Sequence, residues 1–66
     1  VNVIVNDQPQ QYPTALTVAD LLQQLGLSGK PVAVELNREL IPRGQQATTW
    51  VQDGDQLEIV SLTGGG

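Results

Sequence analysis

A stretch of 66 residues with no Cys and no His can hold one domain with a thin core, but neither a disulfide framework nor a zinc or haem centre is expected in it. The formal net charge is −4, and the only basic residues, Lys30, Arg38 and Arg43, are too few to neutralise a phosphate backbone, so nucleic acid is not an expected partner. No apolar run approaches the roughly 20 residues of a membrane-spanning helix and no signal peptide is visible, so no membrane role is expected and a cytoplasmic location fits. The acidity suits a small carrier steered toward basic patches on protein partners, although solubility alone accounts for it equally well.

Val1-Asn2-Val3-Ile4-Val5-Asn6 is a β-branched run and reads as the first strand, with Val1, Val3 and Val5 on one face and Asn2, Ile4 and Asn6 on the other. Asn6-Asp7-Gln8-Pro9 is turn chemistry leading into a second strand, Gln10-Gln11-Tyr12. Pro9 and Pro13 bracket it, and proline cannot donate to a ladder, so this strand should be short and at an edge. Thr17 opens the one convincing helix. Val18, Leu21, Leu22 and Leu25 fall at i, i+3, i+4 and i+7, a single apolar stripe. Asp20 follows Thr17 at capping-box spacing, and Gly26 stands where a left-handed C′ residue is wanted, with Leu27 placed to close back on Leu22.

After the Ser28-Gly29-Lys30-Pro31 loop, Val32 to Asn37 alternates, with Val32, Val34 and Leu36 inward and Ala33, Glu35 and Asn37 outward. Asn37-Arg38 predicts a tight turn into Glu39-Leu40-Ile41, a short strand ended by Pro42. A positive φ at Arg38 would cost about 1 kcal/mol, so a turn without it is expected. Residues 43–52 read as a loop holding one helical turn, anchored to the core by Trp50 and Val51. Asp53-Gly54-Asp55 is a turn, and Gln56 to Leu62 is the last strand. The predicted fold class is α+β: one helix on one face of a mixed sheet of four to five strands, first and last strands side by side in the centre, the other face open. Residues 1–62 form the expected domain and 63–66 a flexible tail.

Along the last strand, Leu57 and Ile59 turn to the helix, leaving Glu58, Val60 and Leu62 on the open side. With Ile4 and Ala33 they form a mixed patch, edged by Glu35 and Glu58. Apolar residues grouped on an exposed sheet face suggest a partner surface, though scattered exposed apolar residues are also ordinary. The tail, Thr63-Gly64-Gly65-Gly66, has two readings as well. It is either a frayed end or cloning remnant, or a device. Glycines have no side chains to obstruct a confined channel, so Gly64 and Gly65 would give a partner enzyme access to the carboxylate of Gly66. A carboxylate is a poor electrophile until an oxygen becomes a leaving group, as in an acyl-adenylate, and the partner would supply that activation. No acid, base and nucleophile cluster points to an enzyme acting alone.

Val1–Asp7, the helix Thr17–Leu25, Val32–Asn37 with Ile41-Pro42-Arg43, Asp53-Gly54-Asp55 with Gln56–Val60, and the terminal Gly65-Gly66 together resemble the ThiS family, the small sulfur carriers of thiamine biosynthesis. The resemblance covers essentially the whole chain and implies the β-grasp, ubiquitin-like fold. It also implies adenylation of the Gly66 carboxylate by a ThiF-like adenylyltransferase using ATP, with no cofactor bound by the carrier itself. Conversion to a thiocarboxylate would follow, with sulfur from a donor such as a cysteine desulfurase relay, and thiazole synthase (ThiG-like) would accept that sulfur. Two departures from the family pattern are local: Arg38 stands where many relatives have Gly, and the aromatic many relatives place near Gln46 has its counterpart here in Trp50. The competing readings are the small subunit of molybdopterin synthase, a ubiquitin-like protein modifier, and a binding module whose glycines are inert.

Overall fold

The computed structural model describes residues 1–62. Seven strands and one α-helix occur along them: β1 (Asn2–Val5), β2 (Gln8–Gln11), β3 (Leu16–Thr17), α1 (Val18–Gln24), β4 (Val32–Leu36), β5 (Glu39–Leu40), β6 (Trp50–Val51) and β7 (Gln56–Ser61), with a single 3₁₀ turn at Arg43–Gln45. Five strands make one mixed sheet in the order β2-β1-β7-β4-β5, and β3 pairs with β6 in a separate two-stranded ribbon. The first and last strands are central neighbours and parallel, while β7 runs antiparallel to β4. β2 and β4 run in the same direction, as the length of their connection allows. They are not neighbours, however, because the crossover carries α1 over β1 and β7. One helix on one face of a five-stranded mixed sheet with a parallel central pair is the β-grasp architecture. No helix among the described residues is long and apolar enough to cross a membrane.

The helix forms where its stripe and caps agree. The Thr17 side chain accepts from the Asp20 N–H at 3.1 Å and the Asp20 carboxylate accepts from the Thr17 N–H at 3.1 Å, a reciprocal capping box. At the other end Leu27 N–H donates to Leu22 C=O at 2.8 Å and Gly26 N–H to Gln23 C=O at 3.0 Å, a Schellman closure made possible by φ +74 at Gly26. Val18, Leu21 and Leu22 bury the stripe against Val3, Val5, Val34 and Leu57 of the sheet, joined by Leu16 and Val51 from the ribbon. Full burial of a side chain such as Leu21 contributes about 2 kcal/mol, a large share of what a domain of this size can accumulate.

Four local expectations change. The second strand begins at Gln8 and includes Pro9, opposite Ile4. Val1 and Tyr12 exchange backbone bonds at 2.6 and 2.9 Å, so hydrogen-bonded pairs alternate from there and the Ile4–Pro9 pair is one that needs no N–H from proline. Both tight hairpins are type I′. Asn6 and Asp7 have φ +49 and +65, and Asn37 and Arg38 have φ +51 and +70, so Arg38 does adopt the positive φ that its side chain disfavours. A two-residue connection between right-twisted strands requires that turn, and the ladder it closes outweighs a local cost of about 1 kcal/mol. Trp50 is not a core anchor. It is 58% exposed while Val51 is 3% exposed, because neighbouring residues of an extended strand point to opposite faces and β6 turns Val51 inward. Lastly, the β3–β6 ribbon lies where only loop is expected, since two-residue strands carry no periodicity.

Candidate functional site

The uncovered face of the sheet is built around β7. Leu57 is buried under the helix, so Gln56, Glu58, Val60 and Leu62 turn the other way. Val60 is 56% and Leu62 63% exposed. Across the β4 ladder, Ala33 stands directly opposite Val60 and Glu35 directly opposite Glu58. Across the β1 ladder, Ile4 stands opposite Gln56. The structure therefore divides the expected patch. Ala33, Val60 and Leu62 group at the end of β7 from which the chain continues. Ile4, on β1, stands level with Gln56, four residues before Val60 along β7 and about 13 Å away at the usual strand rise. Glu35 and Glu58 do not edge one patch; they occupy the middle, between the two apolar ends. Ala33 is half-buried, and Ile4, Glu35 and Glu58 are exposed.

Two side chains of this face are missing from the sequence-based patch. Leu40 is directly opposite Glu35 on β5 and exposed, so it widens the apolar surface beside the carboxylates. Its two-residue strand shows no alternation to read, and only the register places it. Pro9, opposite Ile4, extends the far end. The paired carboxylates give the centre of the face its charge. Among the described residues neither carboxylate has a hydrogen-bonding or ion-pairing partner, and like charges directly opposite across a ladder repel. Asp7 and Arg38 approach the same hollow from the two hairpin turns.

The end of β7 is held on both flanks. On the β4 side, Leu62 N–H donates to Pro31 C=O at 2.9 Å, continuing the antiparallel ladder to the last described residue. On the β1 side the backbone leaves at the Asn6-Asp7 turn, and the Asn6 side chain takes over. Its Oδ1 accepts from Ile59 N–H at 2.8 Å, and its Nδ2 donates to Ile59 C=O at 3.2 Å. Asn6 therefore does not present its carboxamide on the open face, as simple alternation suggests, but uses it as a substitute peptide group in the plane of the sheet. The proposed reactive and access positions, Gly66, Gly65 and Gly64, lie outside the described residues.

A central strand parallel to the first one, an amphipathic helix behind it and an uncovered face before it define a β-grasp, ubiquitin-like domain. The model of the ThiS family matches residues 3–66. The chain is 36% identical to the sulfur carrier protein ThiS of Escherichia coli K12 over 66 residues, all of both chains. It is 39% identical over 66 residues to a thiazole synthase of Paramagnetospirillum magneticum, of which it spans one fifth (20%). The crystal structure of the thiamine biosynthesis protein ThiS from Geobacter metallireducens superposes with a TM-score of 0.85 at 36% identity, covering all of both chains. The chain belongs to the ThiS family.

Proposed function

We propose that this chain is a sulfur carrier of thiamine biosynthesis, and a co-substrate of its partner enzymes rather than a catalyst. The observation that carries the proposal is the end-to-end match with the Escherichia coli sulfur carrier, 36% identical over 66 residues. A thiazole synthase that contains a similar segment within one polypeptide supports thiazole synthase as the sulfur acceptor, in preference to molybdopterin synthase. The geometry fits this role, since β7 leads straight from the open face toward residues 63–66.

The chemistry resides in the carboxylate of Gly66, where that residue ends the mature chain. A carboxylate oxygen attacks the α-phosphorus of ATP in the site of a ThiF-like adenylyltransferase, and pyrophosphate leaves. The acyl-adenylate is then open to attack at carbon. The outer sulfur of a persulfide, supplied through a cysteine desulfurase relay, displaces AMP to give an acyl disulfide. A thiol then cleaves the S–S bond, is itself oxidised to a disulfide, and releases a thiocarboxylate in which one oxygen has become sulfur. Thiazole synthase accepts that sulfur. The carrier contributes a narrow approach through Gly64 and Gly65 and a docking face centred on Ala33, Val60 and Leu62, with Glu58 and Ile4 farther along it.

Intact-mass analysis tests this. The chain is incubated with ATP, an activating enzyme proven on its own carrier, and a sulfur donor. The expected result is a mass gain corresponding to replacement of one oxygen by sulfur, absent when Gly66 is deleted. An unchanged mass with a proven enzyme overturns the reading.

A further inference from the structure

β7 is flanked by β1 and β4, and toward its end the Asn6 carboxamide acts as backbone in place of β1. β1 pairs with β7 at Ile4–Gln56 and Val5–Leu57, and Asn6 N–H donates to Leu57 C=O at 2.9 Å. There the parallel ladder loses its strand, because φ +49 at Asn6 and +65 at Asp7 turn the chain into β2. The next rung is made by the Asn6 carboxamide, which presents an acceptor to Ile59 N–H at 2.8 Å and a donor to Ile59 C=O at 3.2 Å. Asparagine suits both tasks: it tolerates the left-handed region, and its amide reproduces the donor and acceptor of a peptide group.

Asn37 makes a comparison within the same molecule. It too opens a type I′ turn, with φ +51, and its Oδ1 accepts from Gln56 N–H at 3.0 Å while its Nδ2 donates to Asp55 at 3.0 Å. Two asparagines thus hold β7 by their side chains, one at its first residue and one past its middle. Asn37 holds the beginning, and Asn6 holds Ile59, three residues before Leu62.

We propose that Asn6 is a positioning residue for the carrier reaction, its carboxamide fixing the direction in which the end of β7 delivers residues 63–66 to a partner's active site. The proposal rests on the carrier reading above. Its physical basis is position: Ile59 is followed directly by Val60 and then Leu62, the exposed apolar end of the free face, so freedom at Ile59 displaces the docking side chains and the point from which the chain continues. If only part of the strand-end ensemble points correctly, the apparent affinity for the partner falls by that fraction. Losing the two carboxamide bonds is expected to release the β1 flank of Ile59, while the bonds to β4 persist.

Glycine is the informative replacement, because it accepts φ +49 and leaves the turn in place. For Asn6→Gly in the full chain, the expected result is a rise of roughly 3–10-fold in KM for adenylation by the activating enzyme, followed by ATP–pyrophosphate exchange, with kcat changed less than about twofold. Hydrogen exchange at Ile59, whose N–H the carboxamide holds, should accelerate by a similar factor, while Leu62, bonded to Pro31, keeps its rate. Asn37→Gly, the same substitution in the same turn type beside the start of the strand, should lose comparable global stability in urea yet keep KM and the exchange of Ile59. Equal KM changes in the two variants would mean that overall stability is responsible and would overturn the proposal. An unaltered KM or unaltered Ile59 exchange in Asn6→Gly would overturn it too. Failure of the unaltered chain to be adenylated by a proven enzyme overturns instead the carrier reading, and the exchange comparison still decides whether the carboxamide holds the strand end.

Discussion

Arg38 is the residue at which local preference and fold disagree most openly. Its φ of +70 is the second position of a type I′ turn, where a Cβ is disfavoured and glycine is comfortable. Arg38→Gly is therefore expected to stabilise the chain by about 0.5–1 kcal/mol, measured as a higher urea midpoint with an unchanged slope. A loss of stability would mean that the Arg38 side chain makes an interaction worth more than the strain it carries. Read from sequence alone, the arginine argues against a positive φ, because an intrinsic cost is visible there and the ladder closing around the turn is not. The same reasoning accounts for Trp50: size and apolarity predict burial, whereas the strand parity that exposes it depends on a pairing with Thr17 that leaves no trace in composition.

Among the elements, the helix is the one whose sequence, caps and burial all agree. Its apolar spacing, its Thr17–Asp20 box and its Gly26 stop are all local, so each is legible without a partner. The helix is only seven residues long, too short to persist alone, and its stability comes from the sheet beneath it. Thr17→Ala removes the cap from a buried position and should cost about 1–2 kcal/mol in urea denaturation, a substantial fraction of the total for a domain of this size. A change below a few tenths of a kcal/mol would show that the box contributes little once the ribbon bonds, such as Val18 N–H to Thr49 C=O at 2.9 Å, are formed. The strands are legible in proportion to their length. β1, β4 and β7 alternate over four residues or more and read correctly; β5 is legible only from the turn before it and Pro42 after it, and β3 and β6, with two residues each, are too short to show a period.

At the scale of the molecule, the sheet has one face under the helix and one face free, and the free face changes character along β7. The Ala33, Val60 and Leu62 group adjoins the point where the chain continues, and the Glu35–Glu58 pair follows it inward. If this end of the face docks the activating enzyme, Val60→Asp should weaken that binding at least tenfold by calorimetric titration. Because Val60 is 56% exposed, its unfolding midpoint should shift by no more than about 0.5 kcal/mol in equivalent stability. Undiminished affinity would move the docking surface elsewhere, the Ile4–Pro9 end of the sheet being the first alternative.

Much of this molecule is written in short-range patterns: the β-branched runs of the long strands, the stripe and caps of the helix, the turn residues between them and the terminal run Gly64-Gly65-Gly66. Those patterns act over a few residues, and the sequence by itself determined one α+β domain with a single helix, a helix-facing set of apolar side chains and a family resemblance that the full-length match bears out. Only the tertiary structure decided which strands are neighbours and in what register, and every property of the free face depends on register. Ile4 falls beside Gln56 rather than Val60, Glu35 meets Glu58, Leu40 joins the surface, and the Asn6 carboxamide replaces a missing strand at Ile59. Periodicity tells which way a side chain turns from its own strand. The residue across the ladder is set by long-range pairing, which depends on the packing of the whole chain.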